Sequence, residues 1–295
     1  METRELSVDD LAACQAIFNA SYYDLHRRHE MGTAEDDSSW LPPILRHFLQ
    51  TDPAGARLAI DDGTPVGFIS SIRRDDYWFL SFLFVAPDHQ GSGIGRRLLT
   101  ELLPDEGQGV VRATVVESFQ PVSTGLYAAL GMTPRSIKYW VTGLRRPETL
   151  PLLPREIERA TLSEADPSDV DELDRAMLGF RRRVDHLWWA EAGTPAWVYR
   201  RGGELVAYAY VDDGYVGPAL AADEATLCAV VADLVGSSPD PSSMVVNLGG
   251  EAGAVFRMLM NAGGRIEAAS GYRYVYCSSS GPLPSSYIHH SDWLP

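Results

Sequence analysis

The stretch Phe82-Leu83-Phe84-Val85-Ala86-Pro87-Asp88-His89-Gln90-Gly91-Ser92-Gly93-Ile94-Gly95-Arg96-Arg97-Leu98-Leu99 decides the reading of this chain. An apolar strand ends at a proline turn, and a glycine-rich bend then opens an amphipathic helix. Gly91, Gly93 and Gly95 leave no Cβ between the backbone and a ligand, so several N–H groups can point into one space. The first turn of the helix adds further unpaired N–H groups and the positive end of its dipole. The pattern predicts an anion site, and phosphate is the usual occupant of such a site.

Three readings of the glycines are open at this point. A P-loop needs Lys and then Ser or Thr at the helix start, where Arg96 and Arg97 stand instead. A dinucleotide fingerprint needs G-x-G-x-x-G with an acidic residue further on; the chain has G-x-G-x-G, and Glu117 lies near the required distance. The third reading is a tight strand-to-helix turn with no ligand.

The flanks separate these readings. Val85-Ala86-Pro87, then Gln90-Gly91-Ser92-Gly93-Ile94-Gly95, then Leu98-Leu99, resembles the acetyl-CoA signature of the GNAT N-acetyltransferase superfamily. Gln90, Gly93 and Gly95 match its core pattern. The resemblance implies that amides from Gln90 through Gly91, Ser92, Gly93, Ile94 and Gly95 to Arg96 hold the coenzyme A pyrophosphate. It also implies that Leu83, Phe84 and Val85 lie along the pantetheine arm and thioester.

Composition sets the outer bounds. With 295 residues, 45% of them hydrophobic and 22% charged, the chain reads as a globular protein of one large or two ordinary domains. No apolar run reaches membrane-spanning length and Met1-Glu2-Thr3-Arg4-Glu5 is no secretory signal, so a cytoplasmic location with no membrane partner is expected. Cys14, Cys228 and Cys277 lack metal or redox spacing and are expected to be reduced, with no bound metal. A net charge of −15 argues against a nucleic-acid partner, although it could attract a cationic amine.

The order of elements follows the same resemblance over residues 1–146. Arg4-Leu6 opens a short strand, Ser7 reads as an N-cap, and Leu11, Cys14, Ile17 and Phe18 share one helical face. Ser21 to Ser39 reads as a helix end and a mobile loop around Gly32-Thr33; Trp40, Ile44, Leu45 and Phe48 then suggest a second helix. A hairpin follows through Arg57-Ile60 and Pro65-Ile72, then the strand Tyr77-Val85, the helix ended by Pro104, and the buried strand Val110-Val116. Ser123-Leu130 is a helix closed by Gly131, and Ser136-Thr142 a last strand. Thr124-Gly125-Leu126-Tyr127-Ala128-Ala129-Leu130-Gly131-Met132 resembles the second GNAT motif. An Asn common to the family after the preceding strand is absent, and Ser118-Phe119-Gln120-Pro121 stands there. Ser118 is the residue left to bond the pantetheine arm.

A proline-rich joint at 147–155 separates a second, fainter copy at 156–281, with residues 282–295 as a tail. Arg159-Leu162 and the acidic helix start Ala165-Val170 echo Arg4 to Leu11. Trp197-Arg200 and Leu205-Val211 form a second hairpin, and Tyr215-Val216-Gly217-Pro218 mirrors Val85-Ala86-Pro87. Ala219-Leu220-Ala221-Ala222-Asp223 then holds no Gln and no glycine, so no phosphate cradle can form. Met244-Asn247 reads as a strand and Val255-Gly263 as a helix that puts Leu259 at the place of Tyr127. The expected fold is therefore α+β or α/β: two GNAT-like domains, each a mixed, mostly antiparallel twisted sheet flanked by helices, the second degenerate. An unrelated α+β second domain is the alternative.

Acyl transfer to an amine needs a deprotonated amine, a polarised carbonyl and a proton for the leaving thiolate. A backbone N–H freed at a bulge in Leu83-Val85 could hold the carbonyl. By spacing alone Tyr127 is a core residue; the family match implies that it is the general acid. Glu117, at the end of its strand, is the candidate base or a solvated strand end. Asp75 and Asp76 read as turn residues. The Pro295 carboxylate is a further base for some GNAT architectures. His26-Arg27-Arg28-His29-Glu30 reads as a solvated helix face or substrate loop. Arg181-Arg182-Arg183 with Asp185, His186, Trp188 and Trp189 reads as a domain interface or a ligand wall. Tyr287, His289, His290, Asp292 and Trp293 read as an anchored tail rather than a zinc site.

The sequence thus points to an acetyl-CoA-dependent N-acetyltransferase with a small-molecule amine acceptor, direct ternary-complex transfer, and a monomer or homodimer as its assembly. A non-catalytic acyl-CoA sensor or scaffold is the alternative.

Overall fold

In the computed structural model, which describes residues 1–30, 38–105, 107–267, 273–289, 291 and 294, the apolar face of the first helix is buried as its spacing requires. The expected loop at Gly32-Thr33 and the residues His290, Asp292, Trp293 and Pro295 lie outside the described residues.

The first half runs β1 (Glu2–Glu5), α1 (Leu11–Arg28), α2 (Leu41–Thr51), β2 (Ala56–Asp61), β3 (Thr64–Arg74), β4 (Tyr77–Val85), α3 (Ile94–Leu102), β5 (Val111–Glu117), α4 (Pro121–Ala129) and β6 (Thr133–Thr142). The second half runs β7 (Ile157–Thr161), α5 (Pro167–Leu178), α6 (Arg183–Glu191), β8 (Ala196–Arg201), β9 (Glu204–Asp212), β10 (Tyr215–Ala221), α7 (Glu224–Gly236), β11 (Val245–Gly249), α8 (Gly253–Asn261), β12 (Arg265–Ile266), β13 (Tyr274–Ser278) and β14 (Tyr287–Ile288). Pairing is antiparallel except where β4 meets β5 and β10 meets β11. No helix among the described residues is long and apolar enough to cross a membrane.

Local chemistry sets the ends of these elements. Ser7 and Asp10 form a capping box ahead of α1. Asp166 caps α5, Pro167 takes its first turn, and Gly179 at φ 85° ends it. On α3, Ile94, Leu98 and Leu99 are the buried side, packed on Val66, Ile69 and Leu80 of the sheet.

The halves exchange strands. β13 lies between β5 and β6, pairing Tyr274 with Glu117 and Tyr276 with Ser136. β6 then reaches into the second half, where Val246–Gly249 of β11 pairs with Val141–Lys138. One 14-stranded sheet results. Phe68, Tyr77 and Phe79 share a core with Phe180, Trp189, Tyr208 and Tyr287, and Tyr77 stacks on Phe180 at 4.3 Å. This exchange could not be foreseen from the sequence: a five-residue apolar strand such as β13 carries no mark of its neighbours.

Two further differences concern the second half. The sequence reading ends a strand at Gly217-Pro218, whereas β10 runs on to Ala221. A register shift between Val216 and Ala219 absorbs the proline, which has no N–H for the ladder. The helix α7 had no counterpart in the sequence reading, because its residues are buried almost all round and show no amphipathic stripe.

Candidate functional site

The glycine loop begins where β4 ends. After a single helical turn at Pro87–His89, Gly91 (φ 79°) and Gly93 (φ 88°) take left-handed backbone conformations that L side chains enter only at a cost. A Cβ at either position would meet nothing within 4 Å, so these glycines steer the backbone rather than relieve crowding. Gly93 is the N-cap of α3 and offers no side chain to its N–H groups. Among the described residues, the N–H groups of Gly91, Ser92, Gly93, Ile94, Gly95 and Arg96 donate to no backbone carbonyl. Gln90 differs: its N–H bonds to Pro87 O at 3.2 Å. Its side chain braces the loop, with Nε2 donating to Val85 O at 3.0 Å and Oε1 accepting from Arg28 Nη2 at 3.1 Å. Ser92 Oγ donates to His89 O at 2.6 Å.

Beside the loop the sheet opens. β4 and β5 pair in parallel from Tyr77 and Val111 as far as Leu80 and Thr114, and no further. Thr114 Oγ1 donates to Leu80 O at 2.9 Å at the point of parting. On its other edge β4 stays paired with β3 up to Val85, and Ala86 N–H bonds to Val66 O at 2.8 Å. Strand alternation therefore turns the N–H groups of Leu83 and Val85 into the gap. The bulge lies at Ser81, opposite the register shift between Ser70 and Ser71, two residues before the expected place. The N–H groups are freed by the parting of strands rather than by the bulge.

The gap leads into a cavity of about 960 Å³. Leu83, Phe84 and Val85 line one side, Val115, Val116 and Glu117 the other, and Gln90, Gly91, Gly93, Ile94, Gly95 and Arg96 line the loop end. Tyr127 of α4 lines it too. Burial drives the Tyr127 phenol well above the ordinary tyrosine range, against a smaller lowering by its hydrogen bond with Ser123. Such a phenol keeps its proton at neutral pH. Ser92 and Ser118 are not among the lining residues; Ser118 N–H is taken by Arg273 O at 2.6 Å.

Glu117 ends β5 and lines the cavity. His26 of α1 puts Nε2 2.9 Å from Glu117 Oε1, and Arg273 Nε approaches the same oxygen at 4.0 Å. Of His26-Arg27-Arg28-His29-Glu30, read as a solvated helix face or substrate loop, the last four are exposed as expected and His26 alone is the correction, its side chain 2% exposed. Helical spacing could have found it, because His26 continues the buried row of Phe18, Ser21 and Leu25. The strand exchange adds Trp140, Tyr215, Arg273 and Tyr274 to the cavity wall. Trp140 stacks on Tyr274 at 6.1 Å and meets Tyr215 edge-on at 6.2 Å. Sequence reasoning missed these four because their approach depends on a pairing between distant strands.

The second half repeats the parting of strands and fills it. β10 and β11 pair at Tyr215 with Val245 and Val216 with Val246, then diverge. β14 lies in the gap, with Ile288 opposite both Ala219 and Leu248, and Tyr287 opposite Leu220. Asp223 caps α7 by accepting from Thr226 N–H at 2.7 Å, so a carboxylate already serves the helix start. Leu259 is fully buried at the place that corresponds to Tyr127.

Arg181, Asp185 and Trp188 hold the halves together. Arg181 grips Asp75 with both Nε and Nη2, Asp185 binds Arg74 and His47, and Trp188 stacks on His47 at 4.7 Å. Asp75 is indeed a turn residue, at φ 49°. Arg182 is wholly buried, donating to Tyr287 and Tyr208. Among the described residues no group of His, Cys, Asp and Glu side chains could hold a metal ion.

Residues 13–132 match the family model of the Acetyltransferase (GNAT) family. A protein from Pyrococcus horikoshii, provisionally named an acetyltransferase, superposes with TM-score 0.73 at 15% identity, covering 100% of this chain and 95% of that one. The GCN5-related N-acetyltransferase from Sphaerobacter thermophilus gives 0.58 at 16% identity, with 97% and 98% covered. A tandem GNAT protein from the clavulanic acid biosynthesis pathway gives 0.57 at 16% identity, with 95% and 99% covered. No curated protein sequence matches the chain. At such identities the structural likeness is one of fold. Residues 13–132 thus carry a domain of the GNAT family, and the fold of the whole chain is shared with a tandem GNAT protein.

Proposed function

We propose that this protein is an N-acetyltransferase that moves the acetyl group of acetyl-CoA onto a primary amine of a small-molecule acceptor within one ternary complex. The observation that supports this best is one cavity that joins the glycine loop, a parted pair of strands and the side chains of Glu117 and Tyr127. The glycine loop fits a pyrophosphate, since among the described residues the N–H groups from Gly91 to Arg96 have no backbone partner and no Cβ stands before Gly91 or Gly93.

When bound, acetyl-CoA supplies the activated acyl group as a thioester. Gly91 to Arg96 hold its phosphates, with the Arg28 and Arg96 side chains lining the same end. The N–H groups of Leu83 and Val85 face the gap and can bond an extended arm or polarise a carbonyl there. Glu117 takes a proton from the acceptor ammonium and frees the nitrogen lone pair. Tyr127 gives its phenolic proton to the departing thiolate. Direct transfer agrees with the cysteines: Cys14 and Cys277 are buried, and burial pushes their thiols up to about 12 and about 11, away from a nucleophile's range.

The test is free-thiol release from acetyl-CoA in the presence of a panel of primary amines, beside calorimetry with acetyl-CoA alone. Amine-dependent thiol release is expected. Tight binding without release across the panel would make the protein an acyl-CoA sensor, and no binding at all would overturn the cofactor reading.

A further inference from the structure

We propose that His26 is the positioning residue of the Glu117 carboxylate and aims it at the acceptor amine whose proton it takes. This rests on the reading of Glu117 as the base. His26 lies behind the cavity wall rather than in it: its side chain is 2% exposed, against 11% for Glu117, and only Glu117 lines the cavity. Its Nε2 stands 2.9 Å from Oε1. The ring is fixed by Tyr22, whose centroid is 3.8 Å away, and by Phe119 at 5.6 Å. A buried imidazole held this firmly sets the direction of the carboxylate it touches.

Among the described residues the charged surroundings of Glu117 are few. Arg273, just before β13, reaches the same Oε1 at 4.0 Å, and Tyr274 stands opposite Glu117 in the strand register. Arg28, two residues along α1 from His26, is engaged with Gln90 and Asp24 instead. Among the described residues both polar contacts of the carboxylate fall on Oε1, which leaves Oε2 for a ligand in the cavity. In the transfer step the acceptor N–H bond breaks, its electron pair stays on nitrogen, and the proton goes to Glu117. Removing the imidazole takes a hydrogen-bond partner from the carboxylate, and the acidic limb of the pH profile reads that loss.

The experiment compares His26→Leu, His26→Gln and Glu117→Gln with the wild type, reading kcat against pH with the best amine of the panel, and acetyl-CoA affinity by calorimetry. His26→Leu is expected to lower kcat by about tenfold to a hundredfold, part of what a placed general base contributes, with acetyl-CoA affinity unchanged. His26→Gln keeps a donor at the same reach; its plateau kcat is expected to return to within about threefold of wild type, with a displaced acidic limb. Wild-type kcat and an unmoved limb in His26→Leu would overturn the proposal. If leucine prevents folding, His26→Gln decides: a limb superimposable on the wild type overturns it, and a displaced limb supports it. Full activity in Glu117→Gln would overturn it together with the assignment of the base, whereas loss of acetyl-CoA binding in the wild type would overturn the cofactor reading itself.

Discussion

Arg74 of β3 and Asp185 of α6 meet across the junction of the two halves, with Nε and Nη2 each 2.7 Å from a carboxylate oxygen. Their side chains are 5% and 1% exposed. Asp52 on the Arg74 side and His47 on the Asp185 side complete the cluster. An ion pair this deep adds little by itself, because desolvation cancels much of the attraction, yet removing one member strands the other. Asp185→Ala should therefore destabilise the protein by about 3–5 kcal/mol in urea unfolding. The double change Arg74→Met with Asp185→Leu should recover most of that loss. Equal stability of the single and double variants would show that the pair is not coupled.

The same cluster sets an acid response. Burial alone would raise the Asp185 carboxyl, but hydrogen bonds from Arg74 and His47 outweigh it and bring it down to about 2. A carboxyl lowered on folding contributes stability that is present above its unfolded value, near 3.8, and is lost as pH falls through about 2. Unfolding followed by tryptophan fluorescence should therefore show stability falling between these values. Asp185→Asn should be less stable at neutral pH and flatter in that window by about one proton.

How far the chain could be read in advance depended on how local each feature is. The glycine loop, the Tyr127 helix and the failed second loop are short-range patterns, and each stands where the residues put it. Tyr127 and Glu117 come to one cavity because each sits at a fixed offset from an element end. Arg273, Tyr274 and Trp140 could not be foreseen, since they reach the cavity through pairing of β13 with β5 and β6, more than a hundred residues away. His26 lay between these cases. Its periodicity was legible, but a histidine flanked by arginines reads as solvated until a partner such as Glu117 is seen.

Gly93→Asp probes the loop. Its φ of 88° is left-handed, which aspartate tolerates better than most residues, and the space for a Cβ is open. The fold should survive with a melting temperature within a few degrees of wild type. A carboxylate placed among the free N–H groups would compete with phosphate, so acetyl-CoA affinity should fall about a hundredfold or more. Wild-type affinity by calorimetry would remove the loop from the cofactor site.

Ile288 probes the filled gap. It is fully buried, opposite Ala219 and Leu248, where the first half leaves its cavity. Ile288→Ala should cost about 2–5 kcal/mol, as large-to-small core changes do. Acetyl-CoA affinity measured below the unfolding transition should stay unchanged. A new, second acetyl-CoA equivalent in the variant would mean that β14 masks a working site, contrary to Asp223 already capping α7.

Tyr127→Phe separates chemistry from packing. The ring sits in the core shared by α3 and the sheet, while its residue also lines the cavity. Phenylalanine keeps the ring and removes only the proton donor, so stability and acetyl-CoA affinity should change little. Because burial holds the phenol protonated, its loss should lower kcat by about a hundredfold, within the range for a placed general acid. The deficit should shrink with an acyl donor whose leaving thiol is more acidic, since a better leaving group needs its proton less. A deficit of equal size with both donors would assign Tyr127 to packing against the cofactor rather than to proton delivery.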